Sequence, residues 1–149
     1  MNNFIVRPFT KEYIDEVTQI DKLSFTIPWT RESFLRELEN NNNANYIVLF
    51  KDNVLIAYAG IWLILDEGHI TNVAVHPDYR MQGAGTCLMD TLIEICHKNK
   101  IKSMTLEVRK SNTNALKLYK KYNFVQEGLR KFYYADNKED AIIMWKYNI

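Results

Sequence analysis

Val73-Ala74-Val75-His76-Pro77-Asp78-Tyr79-Arg80-Met81-Gln82-Gly83-Ala84-Gly85-Thr86 is the stretch from which the fold can be read. An apolar run ends in a Pro-Asp turn. Arg80-x-x-Gly83-x-Gly85 then opens a segment whose Leu88, Met89, Leu92, Ile93, Ile95 and Cys96 are apolar at helical spacing. Strand, turn, glycines and amphipathic helix in that order describe an anion cradle. Glycine permits φ > 0 and lets backbone approach a ligand with no Cβ in the way. The unpaired N–H groups of the first helical turn, aided by the helix dipole, then face the anion. A hydrogen bond to a charged oxygen is worth roughly 1.5–3 kcal/mol, so a few of them hold a diphosphate without a lysine cluster. The plainer alternative is a glycine turn that only starts a helix. Arg80, three positions before the first glycine, and the strand–turn–helix setting favour the cradle. The third glycine and distant acidic residue of a dinucleotide fingerprint are missing, as is the Gly-Lys-Ser/Thr of a P-loop.

Upstream, Phe4 to Phe9 reads as a short strand and Lys11 to Phe25 as a helix with Tyr13, Ile14, Val17, Ile20 and Leu23 at helical spacing. Thr30 is a fair N-cap for a second helix over Arg31 to Glu39. Tyr46 to Phe50 and Val54 to Leu65 are strands joined by Lys51-Asp52-Asn53, with Gly60 as a bulge candidate. Asp66-Glu67-Gly68 reads as a turn before a strand over His69 to Val75. Downstream come a strand, Ser103 to Arg109, and a helix, Asn112 to Tyr122, followed by closing strands over Asn123 to Leu129, Arg130 to Tyr134 and Ala141 to Tyr147. This order gives a single domain over 1–149, a mixed sheet with helices on its faces and no internal repeat.

Composition narrows the function. Five glycines and three prolines among 149 residues, about 5% against a usual ~12%, leave no room for a flexible linker. A formal charge of +1 gives no bulk field for nucleic acid or an anionic membrane. The longest apolar run, Val54 to Leu65, falls short of the ~20 residues a bilayer requires, and the N-terminal residues do not read as a secretory leader. Cys87 and Cys96 lie nine apart in one helix, roughly 13.5 Å along its axis and on opposite faces, so they cannot bridge. A reducing, cytoplasmic setting is expected. His69, His76 and His97 have no metal-ligand spacing, and no metal is expected.

Two further residues carry chemistry. In Thr105-Leu106-Glu107-Val108-Arg109, Glu107 shares a strand face with Thr105 and Arg109, opposite Met104, Leu106 and Val108. An interior strand should be apolar on both faces, so the carboxylate marks a cleft, a wet edge or a pair with an arginine. Tyr119 lies on the inward stripe of its helix with Ala115 and Leu118, as either a core residue or a phenol aimed at a site.

Val73-Ala74-Val75, Arg80-x-x-Gly83-x-Gly85, Leu106-Glu107-Val108-Arg109 and Asn112-x-x-Ala115-x-x-x-Tyr119-x-x-x-Asn123-Phe124 together resemble the GNAT acetyltransferases. Pro28-Trp29-Thr30, Tyr133-Tyr134 and Glu139-Asp140-Ala141-Ile142-Ile143-Met144 resemble their RimI-type branch, which acetylates ribosomal-protein N-termini. The resemblance implies a mixed, mostly antiparallel α/β (α+β) sheet splayed between strands four and five, with helices on both faces. It implies acetyl-CoA as donor, its pantetheine arm pairing with the backbone of Val73, Ala74 and Val75. Amides of Met81, Gln82, Gly83, Ala84, Gly85 and Thr86 would hold the diphosphate, flanked by Arg80, with Asn112 touching the cofactor beyond the sheet. Glu107 matches the family's general base and Tyr119 its general acid, acting in direct transfer to an amine. A backbone N–H near Val75 would meet the oxyanion. Trp29, Tyr133 and Tyr134 would line the acceptor pocket, with the N-terminal alanine of ribosomal protein bS18 as partner.

Two positions depart from the family pattern: Met81 where a basic residue is common, and Asn123 at a usual glycine, where Asn tolerates left-handed geometry. Another amine acceptor, such as a polyamine, and a CoA-binding module without turnover are the competing readings. The first lacks an acidic cluster, and the presence of both Glu107 and Tyr119 weighs against the second.

Overall fold

The apolar alternation between Ala44 and Val75 forms the centre of one seven-stranded sheet. The structure is a computed structural model that describes residues 3–149; Met1 and Asn2, at the head of the stretch read for a leader, lie outside the described residues. In chain order the elements are β1 (Phe4–Pro8), α1 (Ile14–Ser24), α2 (Arg31–Asn40), β2 (Ala44–Lys51), β3 (Val54–Ile64) and β4 (Glu67–Val75). There follow α3 (Ala84–Lys98), β5 (Ser103–Arg109), α4 (Thr113–Lys121), β6 (Val125–Arg130) and β7 (Ala141–Tyr147). The strands lie in the order β1-β2-β3-β4-β5-β7-β6, and among the described residues only β4 and β5 pair in parallel.

Two cores, one per sheet face, hold the helices. Leu88, Met89, Leu92 and Cys96 of α3 and Tyr119 of α4 pack with Met104, Leu106 and Val108 of β5. Ile14, Val17 and Ile20 of α1 and Phe34 of α2 pack with Tyr46, Tyr58 and Ala74. Fully burying an aliphatic or Phe side chain contributes roughly 1.5–3 kcal/mol, which fixes each amphipathic helix on its face. Thr30 caps α2 as expected, its Oγ1 accepting from Ser33 N at 3.1 Å.

The expected splay is present. β4 and β5 pair only at Glu67↔Ser103, Gly68↔Met104 and His69↔Thr105. Beyond that point β4 stays with β3 as far as Val75, and β5 stays with β7 as far as Arg109. The edge of β4 from Ile70 to Val75 therefore faces β5 unpaired. A bulge lies where the strands part: Gly60 faces Asn72 and Ile61 faces Ile70, leaving Thr71 as the extra residue. Bulges bend and twist the strand that carries them.

Four expectations need correction or refinement. The bulge lies at Gly60 as expected, but its extra residue is Thr71 on the facing strand. A Cβ on Gly60 would fall 2.1 Å from Cε1 of the Tyr46 ring, so this glycine makes room for an aromatic lying across its strand. Glu67 and Gly68, read as turn, begin β4, and the first helix opens with a separate 3-10 turn at Lys11–Tyr13. Arg130 to Tyr134 is not a strand. β6 ends at Arg130, Phe132 is left-handed at φ 56°, and 131–140 form a loop between β6 and β7. Asn123 after α4 is left-handed at φ 68°, as the glycine-like position requires.

Candidate active site

At the end of β4 the chain turns through Pro77–Tyr79 into the glycine segment. Met81 and Gly83 are left-handed, at φ 63° and 91°. α3 begins at Ala84 with no side chain capping it, so its first-turn N–H groups have no side-chain partner. A Cβ on Gly85 would sit 3.2 Å from Leu118, so the glycine also lets α4 close against the start of α3. The Tyr122 hydroxyl ties the same two helices, donating to Asp90 Oδ1 at 2.7 Å with Thr86 O 3.1 Å away. Arg80 folds back, donating from Nε to Val75 O at 3.1 Å and from Nη2 to Ser24 Oγ at 3.4 Å. Met81 is exposed, and Lys51 Nζ reaches the cradle from β2, 2.5 Å from Gln82 Oε1. Left-handed turn residues, an uncapped helix start and an unpaired strand edge leading to them fit an extended, amide-bearing thioester with a diphosphate at its end. Asn112, expected to touch that donor, uses its side-chain oxygen as the N-cap of α4, accepting from Ala115 N at 3.2 Å.

On the α1/α2 face, where β4 and β5 part, lies an open cleft of about 440 Å³. Trp29 and Trp62 form one wall and Tyr133 and Tyr134 the other; His69, Thr71, Thr105 and Glu107 supply its polar surface. Trp29 is fixed from below. Its backbone N–H donates to Asp21 Oδ2 at 2.7 Å, and the other Asp21 oxygen accepts from the Tyr58 hydroxyl. Asn72 Nδ2 in turn donates to that hydroxyl at 3.2 Å. Burial raises the Asp21 carboxyl above its ordinary value, against the hydrogen bonds from Tyr58 and Trp29 that lower it. Trp62 is held by Glu37, whose Oε1 accepts its Nε1–H at 2.8 Å and the Tyr46 hydroxyl at 3.0 Å.

Glu107 and Tyr119 stand on opposite faces of the sheet. Glu107 lines the cleft, its Oε1 3.2 Å from Arg130 Nε, which is the arginine pair that the strand pattern allowed. Both partners are substantially exposed, and such pairs are worth about 0–1 kcal/mol, little resistance to a competing cation. The charge of Glu107, with some burial, raises the Tyr133 hydroxyl. Tyr119 is 7% exposed in the α3/α4 core, its ring 5.8 Å from Phe124, and does not line the cleft. Its hydroxyl has no hydrogen-bond partner, yet no unpartnered polar side-chain atom is sealed from solvent among the described residues, so it opens onto accessible space. Burial, and secondarily Tyr134, hold it well above the ordinary phenol value. The β4–β5 gap is the opening between these two faces.

Sequence reasoning found Glu107, Trp29, Tyr133 and Tyr134 and missed Trp62, His69, Ile70 and Thr71. Period-two alternation from Glu107 reaches Thr105, but nothing local announces a bulge at Thr71 or turns Trp62 toward a cleft.

Residues 14–124 match the acetyltransferase (GNAT) family. The chain is 46% identical over 140 residues to a candidate ribosomal protein bS18-alanine N-acetyltransferase of Bacillus subtilis (strain 168), covering 94% of this chain and 93% of that one. It is 35% identical over 129 residues to the ribosomal protein bS18-alanine N-acetyltransferase of Escherichia coli (strain K12), covering 84% of each. The crystal structure of the ribosomal-protein-S18-alanine N-acetyltransferase from Escherichia coli superposes with a TM-score of 0.89 at 29% identity, covering 97% of this chain and 94% of that one. With a cradle, a parted sheet and a family match spanning most of its length, the chain belongs to the GNAT acetyltransferases.

Proposed function

We propose that this acetyltransferase transfers the acetyl group of acetyl-CoA to the N-terminal α-amine of a protein, the alanine-starting end of ribosomal protein bS18. The names of the relatives support the acceptor. The observation that carries the route is the gap between β4 and β5, with the cradle leading to it on one side and the aromatic cleft bearing Glu107 on the other.

The donor supplies an activated acyl carbon and a thiol leaving group. An α-amine has a reference pKa near 8 and must shed a proton before it can attack. That first proton goes to solvent, and Glu107 takes the second, directly or through one water, as the C–N bond forms. N–H groups on the unpaired edge of β4 offer donors to the negative charge growing on the acyl oxygen. Tyr119, whose unpartnered hydroxyl is not sealed from solvent, gives its proton to the departing sulfur as the C–S bond breaks and regains one from solvent. Trp29, Tyr133 and Tyr134 enclose the acceptor N-terminus. Thiol release from acetyl-CoA with a basic peptide starting in alanine tests this, set beside the same peptide N-blocked. Blocking should abolish release; activity that ignores the block overturns the α-amine assignment.

A further inference from the structure

Residues 131–140 carry Tyr133 and Tyr134 to the cleft, yet little apolar packing holds them there: Phe132 is 70% exposed and Tyr133 50%. The loop's own backbone bonds, Tyr134 N to Glu139 O at 3.2 Å and Lys138 N to Tyr134 O at 2.9 Å, give it shape but do not anchor it. Arg109 ties it to the sheet. Its Nη2 donates to both oxygens of Asp136 at 3.0 Å, and its Nη1 donates to Glu139 Oε1 and Asn137 Oδ1 at 3.3 Å. The guanidinium carbon lies 3.9 Å from the Tyr134 ring centroid. A guanidinium shared between two carboxylates and an aromatic ring, rather than depth, sets this cluster apart from isolated surface pairs, since Asp136 is itself exposed. Glu139 also accepts from Ser111 N at 2.6 Å, joining the loop to the start of the β5–α4 turn. Arg109 stands two residues beyond Glu107 on the same face of β5.

We propose that Arg109 is a positioning residue for the acceptor: through Asp136, Glu139 and the Tyr134 ring it locks the 131–140 loop so that Tyr133 and Tyr134 close the cleft beside Glu107. The proposal rests on the reading of that cleft as the acceptor site and adds the residue that sets acceptor affinity. A loop already ordered before binding spares the acceptor the entropy of ordering it. Lysine, a point charge without the planar fork, cannot hold Asp136 and Glu139 through two nitrogens and stack on the Tyr134 ring together.

Three variants test it: Arg109→Gln, Arg109→Lys, and Asp136→Asn combined with Glu139→Gln. Acceptor KM should rise about 10–100-fold in Arg109→Gln and less in Arg109→Lys, with kcat within about threefold and acetyl-CoA KM unchanged. Amide exchange should quicken over 131–140 and not in β2 to β4. The loop double variant should share the phenotype and add nothing to Arg109→Gln, as members of one network do. Wild-type acceptor KM in both Arg109→Gln and the loop variant overturns the proposal, as does an equal rise in acetyl-CoA KM. Failure of the underlying reading shows separately, as Glu107→Gln that keeps its turnover or as acetylation of the blocked peptide. Asp136 and Glu139 lie outside both cores, so the loop variant decides the matter even where Arg109→Gln folds poorly.

Discussion

Gly60→Ala tests whether the splayed sheet depends on one aromatic ring. The added Cβ would lie 2.1, 2.5 and 2.7 Å from Cε1, Cδ1 and Cζ of Tyr46. Ordinary carbon contacts begin near 3.5 Å, so the ring must move by about 1.4 Å. It has little space: Tyr46 is 7% exposed, with Phe9 6.1 Å and Trp29 6.4 Å away between ring centroids. Its hydroxyl sits 3.0 Å from Glu37 Oε1, 3.2 Å from Thr71 Oγ1 and 3.4 Å from Asn72 Oδ1, contacts that cannot all survive such a shift. Overpacking costs about 1–3 kcal/mol and two lost hydrogen bonds about 1 kcal/mol each; replacing glycine in a strand recovers about 0.5–1. The net is a loss of about 2–4 kcal/mol, or roughly 6–12 °C in Tm for a domain of this size. Urea unfolding followed by tryptophan fluorescence measures it. In a Tyr46→Val background, where the ring is gone, Gly60→Ala should become neutral or slightly stabilising. A penalty that persists undiminished there, or a single variant within about 0.5 kcal/mol of wild type, refutes the ring contact as the cause.

Glu107→Gln and Tyr119→Phe should each lower kcat about 10²–10⁴-fold with acetyl-CoA affinity little changed; two variants with near wild-type turnover would remove the assigned proton transfers. Initial-rate plots against both substrates should intersect, and Cys87 should carry no acetyl group after incubation with donor alone, because burial and then Asp90 raise its thiol. Parallel lines would contradict direct transfer. The Asp21 carboxyl binds its proton more tightly folded than unfolded, so its contribution favours folding at acid pH and is lost as pH rises from about 3.9 through the raised folded value. Asp21→Asn should remove that fall, seen as a difference from wild type in urea stability between pH 4 and 7; identical slopes would sink the assignment.

What the sequence revealed and what it hid divide along range of interaction. The turn into α3 was legible because Gly83 acts through local backbone geometry, left-handed at φ 91°. Glu107 was legible because a carboxylate at an interior strand position breaks a period-two rule. Gly60 was seen as a bulge position, which it is, but not as the place where an aromatic crosses. A bulge and an aromatic crossing leave the same mark in a strand, and only the pairing of Tyr46 with Gly60 separates them. Residues 130–134 read as a strand because their aromatics favour one. The contacts that make them a loop come from Arg109, 27 positions before Asp136, which no local pattern reports. Asp21 drew no notice among the acidic residues of α1, since its partners Tyr58 and Trp29 become neighbours only when α1 docks on the sheet.

An unpaired strand edge is ordinarily a liability, because its N–H and C=O groups invite another strand. Here the edge from Ile70 to Val75 lies inside the sheet, and the fold keeps it open. β5 is paired with β7 along its whole length, from Ser103 to Arg109, and β4 with β3 as far as Val75, so neither strand is free to close the gap. On the proposed reading, the molecule that completes this edge must be narrow, extended and furnished with amides, and its reactive end would stop near Thr71, where the strands meet, so the oxyanion would meet an N–H there rather than near Val75 as first expected. Lying there it would also form the back of the cleft, beside Ile70 and Leu106. Donor occupancy should therefore strengthen acceptor binding, and by linkage a bound acceptor should strengthen donor binding by the same free energy. Equal acceptor affinity with and without a non-transferring donor analogue would mean that the two ligands do not share the gap.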